Sequence, residues 1–230
     1  MYWANFLHIY QPAGQQPDII KAVADQSYRP ILKSLIEHEN VRLTFNITGS
    51  LLEALDRNGH QDIIEMLQIL VKSGRLEITG SAKFHALLPF LPEKEIRRQI
   101  EANTETLQHY FGQDFCPHGF FPPEMAFSGE IVPILEELGF EWLILDEIAY
   151  NGKVEQIDYS KIYKIKDSNL KVFFRERRPS NLIMSAVVRT HDALVEAMGM
   201  KKDSEKSEKS ERYLLTAMDG ETFGHHRPGL

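Results

Sequence analysis

The chain has 230 residues, enough to bury a sizeable core and within the range where one α/β barrel forms a single domain. Its residues are 43% hydrophobic and 26% charged with a formal net charge of −7, so a polyanion is repelled on average, and no Lys/Arg stripe interleaved with aromatics offers a local exception that would suit nucleic acid. A single cysteine, Cys116, excludes an intrachain disulfide, a thiolate zinc site and an Fe–S cluster.

The opening stretch, "MYWANFLHIYQP", has no basic leader, and its apolar run is too short for a secretory signal. No later stretch approaches transmembrane length, so a cytoplasmic protein with no membrane partner is expected. The first expected strand is "NFLHI" at 5–9, and a helical stretch follows at 19–38. Further strands are expected at 42–47 (RLTFNI), 75–79 (RLEIT), 118–122 (HGFFP), 141–145 (EWLIL), 171–175 (KVFFR), 182–186 (LIMSA) and 213–218 (YLLTAM). Between them the apolar period becomes helical at 49–55, 62–72, 93–111 and 128–138, the last closed by Gly139. Within 93–111, Ile96, Ile100, Leu107 and Phe111 form one apolar stripe. Strands alternating with helices predict one α/β domain of mostly parallel strands over residues 1–230. Residues 201–212, "KKDSEKSEKSER", are mixed-charge and Ser-rich and are expected to form a mobile surface insertion before the last strand.

In parallel α/β folds, functional groups gather at the carboxyl ends of the strands, where the strand-to-helix loops converge. Those ends carry His8 with Tyr10 and Gln11, then Asn46, His85, Glu124, Asp146, Arg175 and Asp219. Taken singly, several have plain structural readings. His8 is equally a core histidine, Asn46 favours a turn or cap role, Asp146 with Glu147 reads as a solvated loop pair, and Arg175 in "RERR" reads as a charged surface run. Their coincidence at one face is what single-residue readings do not predict. Glu124 and Asp219 are harder to dismiss. Glu124 leaves the sheet on the rigid Pro122-Pro123 pair, and Asp219 ends an apolar run just before Gly220, which permits close backbone approach. Two carboxylates at one barrel mouth suit glycosidic cleavage, which needs a nucleophile or stabiliser and a proton donor.

Four ordered motifs, "FLHIYQP", "EITGSAKFHALLPFLP", "GFFPPEMAFS" and "LLTAMDGETFGHH", resemble the conserved regions of family-57 glycoside hydrolases, and the resemblance runs from His8 to His226. It implies a seven-stranded (β/α)7-type barrel with parallel strands and a retaining double displacement on α-glucans, by hydrolysis or by transfer to another sugar. It further implies Glu124 as nucleophile, Asp219 as general acid/base, and no metal or cofactor. His8 and Gln11 match the first motif and His85 the second, so sugar contacts are implied for them. Tyr10, Asp146, Arg175, Glu221 and His225 complete the expected substrate-binding set. Tyr10 departs from the usual His-x-His-Gln-Pro pattern by replacing the second histidine. Members of the family also continue past the fourth motif into a helical region, whereas this chain stops at Leu230, so a barrel lacking that region, completed by a missing helical segment or by oligomerisation, is expected. Two alternatives remain beside this reading. One is a metal-dependent deacetylase-like hydrolase drawing ligands from His8, His85, Asp146, Asp219, His225 and His226. The other is a non-catalytic glucan-binding remnant.

Overall fold

The computed structural model describes residues 1–197 and 211–229. The first strand, β1 (Tyr2–Ile9), becomes progressively buried along its length, and its inward Phe6 and outward Leu7 and Ile9 are all covered. The helical stretch expected at 19–38 is three segments: α1 (Pro17–Val23), a π-helical turn (Ala24–Tyr28) and α2 (Arg29–Glu37). Pro30 lies just beyond the π turn, where a proline inside regular helix would lack a donor and clash with the preceding turn. The next elements are β2 (Leu43–Ile47), α3 (Gly49–Arg57), α4 (Gln61–Lys72) and β3 (Leu76–Ile78). Thr48 caps α3, accepting from the Leu51 N–H. Helix α5 spans Glu93–Phe111, as the apolar stripe predicts.

The second half contains β4 (Gly119–Phe120), α6 (Val132–Glu137), β5 (Trp142–Asp146), β6 (Tyr163–Lys164) and β7 (Lys171–Arg175). It continues with α7 (Arg177–Met184), α8 (His191–Ala197) and β8 (Tyr213–Asp219). Residues 182–186, expected as a strand, do not form one. The run "LIM" ends α7, Ser185 donates back to the Asn181 carbonyl, and the Ser180 hydroxyl bonds the Glu176 carbonyl one turn earlier. A short apolar run carries no period of its own, and here the helix-forming turn starting after β7 decides it. The charged segment expected at 201–212 lies outside the described residues except for its last two.

Two sheets have the orders β3-β2-β1-β8 and β4-β5-β7-β6. All pairings among β1, β2, β3, β4, β5, β7 and β8 are parallel, and β6 adds a short antiparallel edge to β7. The sheets meet on both sides. Gly80, just past β3, bridges Phe120 of β4, and the Glu176 N–H, just past β7, donates to Leu215 of β8 at 2.9 Å. The seven parallel strands therefore run in the ring order 3-2-1-8-7-5-4, the (β/α)7 barrel arrangement.

Three apolar clusters match this plan. The lumen is filled by Phe6, Phe121, Ile144, Leu215 and Ala217. A second cluster packs α1 to α4 on the outside of the first sheet, and a third packs the α5 and α6 side on the second. A filled lumen leaves the carboxyl ends of the strands as the place for a cleft.

Candidate active site

Strand register brings the polar residues level with one another. His8 on β1 pairs with Asn46 of β2 on one side and Asp219 of β8 on the other, while Asp146 of β5 pairs with Arg175 of β7. A cleft of about 380 Å³ opens above them, lined by His8, Glu124, Asp146, Arg175, Arg177 and Asp219 together with apolar residues such as Phe121 and Met184. That volume lies in the range of small-ligand sites.

Glu124 sits in a one-turn 3-10 segment (Pro123–Met125) directly after the Pro-Pro pair. Its backbone is left-handed at φ 57°, as is that of Met125 at φ 54°. A non-glycine residue held there is strained, and such strain persists where the surroundings dictate it. The Glu124 side chain is 70% exposed, and its Oε1 lies 2.9 Å from His85 Nε2. His85 is itself left-handed, at φ 56°. Its buried ring lies 4.6 Å from that of His8 and 4.5 Å from that of Tyr10, stacked against both. The His85 Nδ1 has no partner, which leaves Glu124 as the polar anchor of that ring.

His8 is buried, and burial, first, and the neighbouring His85, second, lower its pKa to about 3, so the imidazole is neutral. Its Nδ1 lies 2.8 Å from Asn46 Oδ1, and Asn46 Nδ2 donates to Thr79 at 3.1 Å. Asn46 is therefore not the turn or cap residue expected of it. Its side chain points along the sheet and holds the His8 ring, a role that becomes visible only once β1 and β2 are paired.

Asp219 makes no capping hydrogen bond. Its surface opens to the cleft, yet its pKa is raised, first by desolvation and next by the charge of Glu124, against the opposing influence of His226, His85 and Arg175. Gly220 allows the close approach expected of it, since a Cβ there would meet the Ile9 side chain at 2.5 Å.

The remaining expected residues divide. Asp146 accepts from Arg175 at 3.0 Å and from the Ile148 N–H at 3.1 Å. Arg175 spends its whole fork on the protein: Nε donates to the Ala217 carbonyl at 2.7 Å, one terminal nitrogen to Asp146 and the other to Asn181 at 2.8 Å. Arg175 is thus no surface-run arginine but a buried tie across β5, β7, β8 and α7. Tyr10, Gln11, His85, Glu221 and His225 lie outside the cleft lining. Gln11 accepts from Gln15 at 3.0 Å and approaches the Tyr28 phenol. Glu221 is buried, its Oε1 accepting from the Tyr10 N–H at 3.2 Å and from the Tyr28 hydroxyl. Burial, as the largest cause, pushes its pKa up to about 7. His225 Nδ1 lies 2.7 Å from Gln26 Oε1. Sequence reasoning missed Tyr28, Ser27 and Gln26, hidden in an apparently continuous helix; Pro30 inside that stretch was the one available signal. It also missed Arg177, which lies 3.6 Å from Asp146.

Among the described residues, no group of three His, Cys, Asp or Glu side chains is arranged to hold a metal ion, and no helix is long and apolar enough to cross a membrane.

A parallel α/β barrel with three acidic side chains, Glu124, Asp146 and Asp219, on one cleft at its carboxyl face has the arrangement of barrels whose functional groups sit on the strand-end loops. Residues 5–229 match Glycosyl hydrolase family 57, and the chain belongs to that family. It is 30% identical over 149 residues to an alpha-amylase of Pyrococcus horikoshii, covering 64% of this chain and 23% of that protein. It is 27% identical over 153 residues to a 4-alpha-glucanotransferase of Thermococcus kodakarensis, covering 65% of this chain and 23% of that protein. Among solved structures, a 4-alpha-glucanotransferase of Thermococcus litoralis superposes with a TM-score of 0.80 at 22% identity, covering 97% of this chain and 34% of that one. The matched stretch spans less than a quarter of these curated relatives' length.

Proposed function

We propose that the chain carries the catalytic centre of a retaining glycosidase or transglycosylase acting on α-glucans, with Glu124 as nucleophile and Asp219 as general acid/base. The observation that carries this reading is that both carboxylates line one cleft and have different environments. Glu124 is solvent-facing and tethered by His85, whereas desolvation and the Glu124 charge favour a proton on Asp219. That asymmetry divides nucleophile from acid. The α-glucan substrate rests on the relatives, which are named as an alpha-amylase and a 4-alpha-glucanotransferase.

In the first displacement, a Glu124 carboxylate oxygen bonds the anomeric carbon as the glycosidic C–O bond breaks, and Asp219 gives its proton to the departing oxygen. A glycosyl ester on Glu124 results, with Asp219 now a carboxylate. In the second, Asp219 takes a proton from water or from a sugar hydroxyl while that oxygen attacks the anomeric carbon and releases Glu124. Two inversions give net retention. The neutral His8, held by Asn46, lines the cleft and supplies a sugar contact. Asp146 and Arg175, paired with each other, line the same cleft.

The direct test is trapping with an activated 2-deoxy-2-fluoro-α-glucoside or 5-fluoro glucoside followed by peptide mapping. A label on Glu124 is the expected result. A label on another carboxylate, or inverted product stereochemistry by NMR, would overturn the assignment.

A further inference from the structure

The π-helical turn at Ala24–Tyr28 interrupts the helical run between β1 and β2 at one particular place. Three consecutive residues of this turn bond the segment that carries Asp219. Gln26 Oε1 lies 2.7 Å from His225 Nδ1, the Ser27 hydroxyl donates to the Gly220 carbonyl at 2.8 Å, and the Tyr28 hydroxyl donates to Glu221 Oε1. A regular α-helix turns 100° per residue and would spread three successive side chains over most of its circumference, whereas the wider π turn lets all three reach one neighbour. The approach is close in the backbone as well, since a Cβ on Gly224 would fall 1.9 Å from the Gln26 carbonyl oxygen. Ser27 and Tyr28 are fully or almost fully buried, as are Gly220 and Glu221. The same Glu221 oxygen also takes the Tyr10 N–H, which joins the loop after β1 to the turn after β8.

We propose that this π turn is the positioning element of the site, with Tyr28 and Glu221 as positioning residues that hold the Asp219 turn and the Tyr10–Gln11 loop in one arrangement. Neither residue lines the cleft, so the effect passes through the backbone on either side of Asp219. Proton donation depends on placing the acid within hydrogen-bond reach of the departing oxygen, and a shift of about 1 Å is enough to cost on the order of a hundredfold in rate. The inference deepens the acid/base reading of Asp219 and rests on it for its catalytic consequence, although the clamp itself is independent of that reading.

Two measurements on the full chain separate the clamp from the chemistry. The first is amide hydrogen exchange in Tyr28→Phe and Ser27→Ala variants. Loss of one buried hydrogen bond, about 1 kcal/mol, should speed exchange at 219–226 and at Tyr10 roughly fivefold to tenfold while β2 and β5 keep their protection. A uniform increase across all strands would mean that Tyr28 only stabilises the fold, and would overturn the proposal. The second is the leaving-group dependence of turnover. Tyr28→Phe should slow cleavage of a poor leaving group, such as a sugar, at least tenfold more than cleavage of a dinitrophenyl glycoside, which needs no proton. Equal slowing of both substrates would overturn the positioning role. Asp219→Asn serves as the reference. If it lacks the same leaving-group dependence while the exchange pattern is as expected, the acid/base reading fails and the clamp stands. Glu221→Gln, which keeps the acceptor oxygen, should restore most of the protection lost in Glu221→Ala, and failure of that rescue would remove Glu221 from the clamp.

Discussion

Asp219 and Glu221 stand two residues apart, and burial raises the pKa of both. Their consequences differ because one faces the cleft and the other faces the protein. On the proposed mechanism the protonated form of Asp219 is the working acid, so activity should fall as pH rises through its raised pKa, forming the alkaline limb of a bell-shaped profile. Asp219→Asn should remove that limb and lower kcat on a glucan by about 10²–10⁴-fold, as pH–rate curves of the two proteins would reveal. For Glu221 the folded pKa of about 7 lies above its ordinary 4.5. Folding therefore favours the protonated carboxyl. The stabilisation is fully present below pH 4.5 and is lost as pH rises through 7. Over that window the shift amounts to about 3 kcal/mol, which should appear as a melting temperature that falls from pH 5 to pH 7.5. Glu221→Gln should flatten this dependence, and an unchanged slope would assign it to another group.

At the scale of elements, short strands close the ring because glycines allow neighbours to come near. β4 has two residues, and Gly119 pairs with Trp142 of β5. A Cβ on Gly119 would fall 2.1 Å from the Trp142 ring, which itself packs edge-on against Phe173 of β7. Gly119→Ala should thus destabilise the chain by about 1–3 kcal/mol through overpacking, measured as a lower denaturant midpoint. Gly129→Ala, where nothing lies within 4 Å, provides the contrast and should stay within about 0.5 kcal/mol of the parent. The same scale explains the one misplaced strand. Residues 182–186 share the apolar character of a strand, but their hydrogen bonds run back within α7, and sequence alone holds no partner against which to weigh the two outcomes.

At the scale of the whole molecule, His8, Asp146 and Asp219 line one cleft, but among the described residues no three His, Cys, Asp or Glu side chains are arranged to hold a metal ion. Histidines and carboxylates are spent on one another, on backbone and on side-chain amides: His85 on Glu124, Asp146 on Arg175, His225 on Gln26. Exhaustive chelation should accordingly leave both the melting temperature and any glucan turnover unchanged, and stoichiometric zinc with activity lost on its removal would instead favour metal-assisted hydrolysis. The loops after β3 and β5 carry Phe84, Leu87 and Phe90 on one side and Ile148 and Tyr150 on the other, all exposed. Phe90 is the most open of these, at 82%.

The sequence by itself determined the alternation of strand and helix, the extent of α5, and the two acids that end apolar runs, because periodicity, helix stops and Pro or Gly neighbours are local properties. It also singled out Glu124 and Asp219 as candidates among the loop acids, through Pro122-Pro123 and Gly220. Tertiary structure alone decided what the other polar residues do. Arg175 sits in a charged run yet is buried as a tie, and Asn46 resembles a turn former yet holds His8. Glu221 belongs to the same motif as Asp219 but faces Tyr28, some 190 residues earlier in the chain. Burial and hydrogen-bond partners come from strand register and from contacts between distant segments, and no local pattern encodes which side of a turn faces the cleft. The π turn is the clearest instance: its residues read as plain helix, and only the docking of the Asp219 segment against it gives Gln26, Ser27 and Tyr28 a common target.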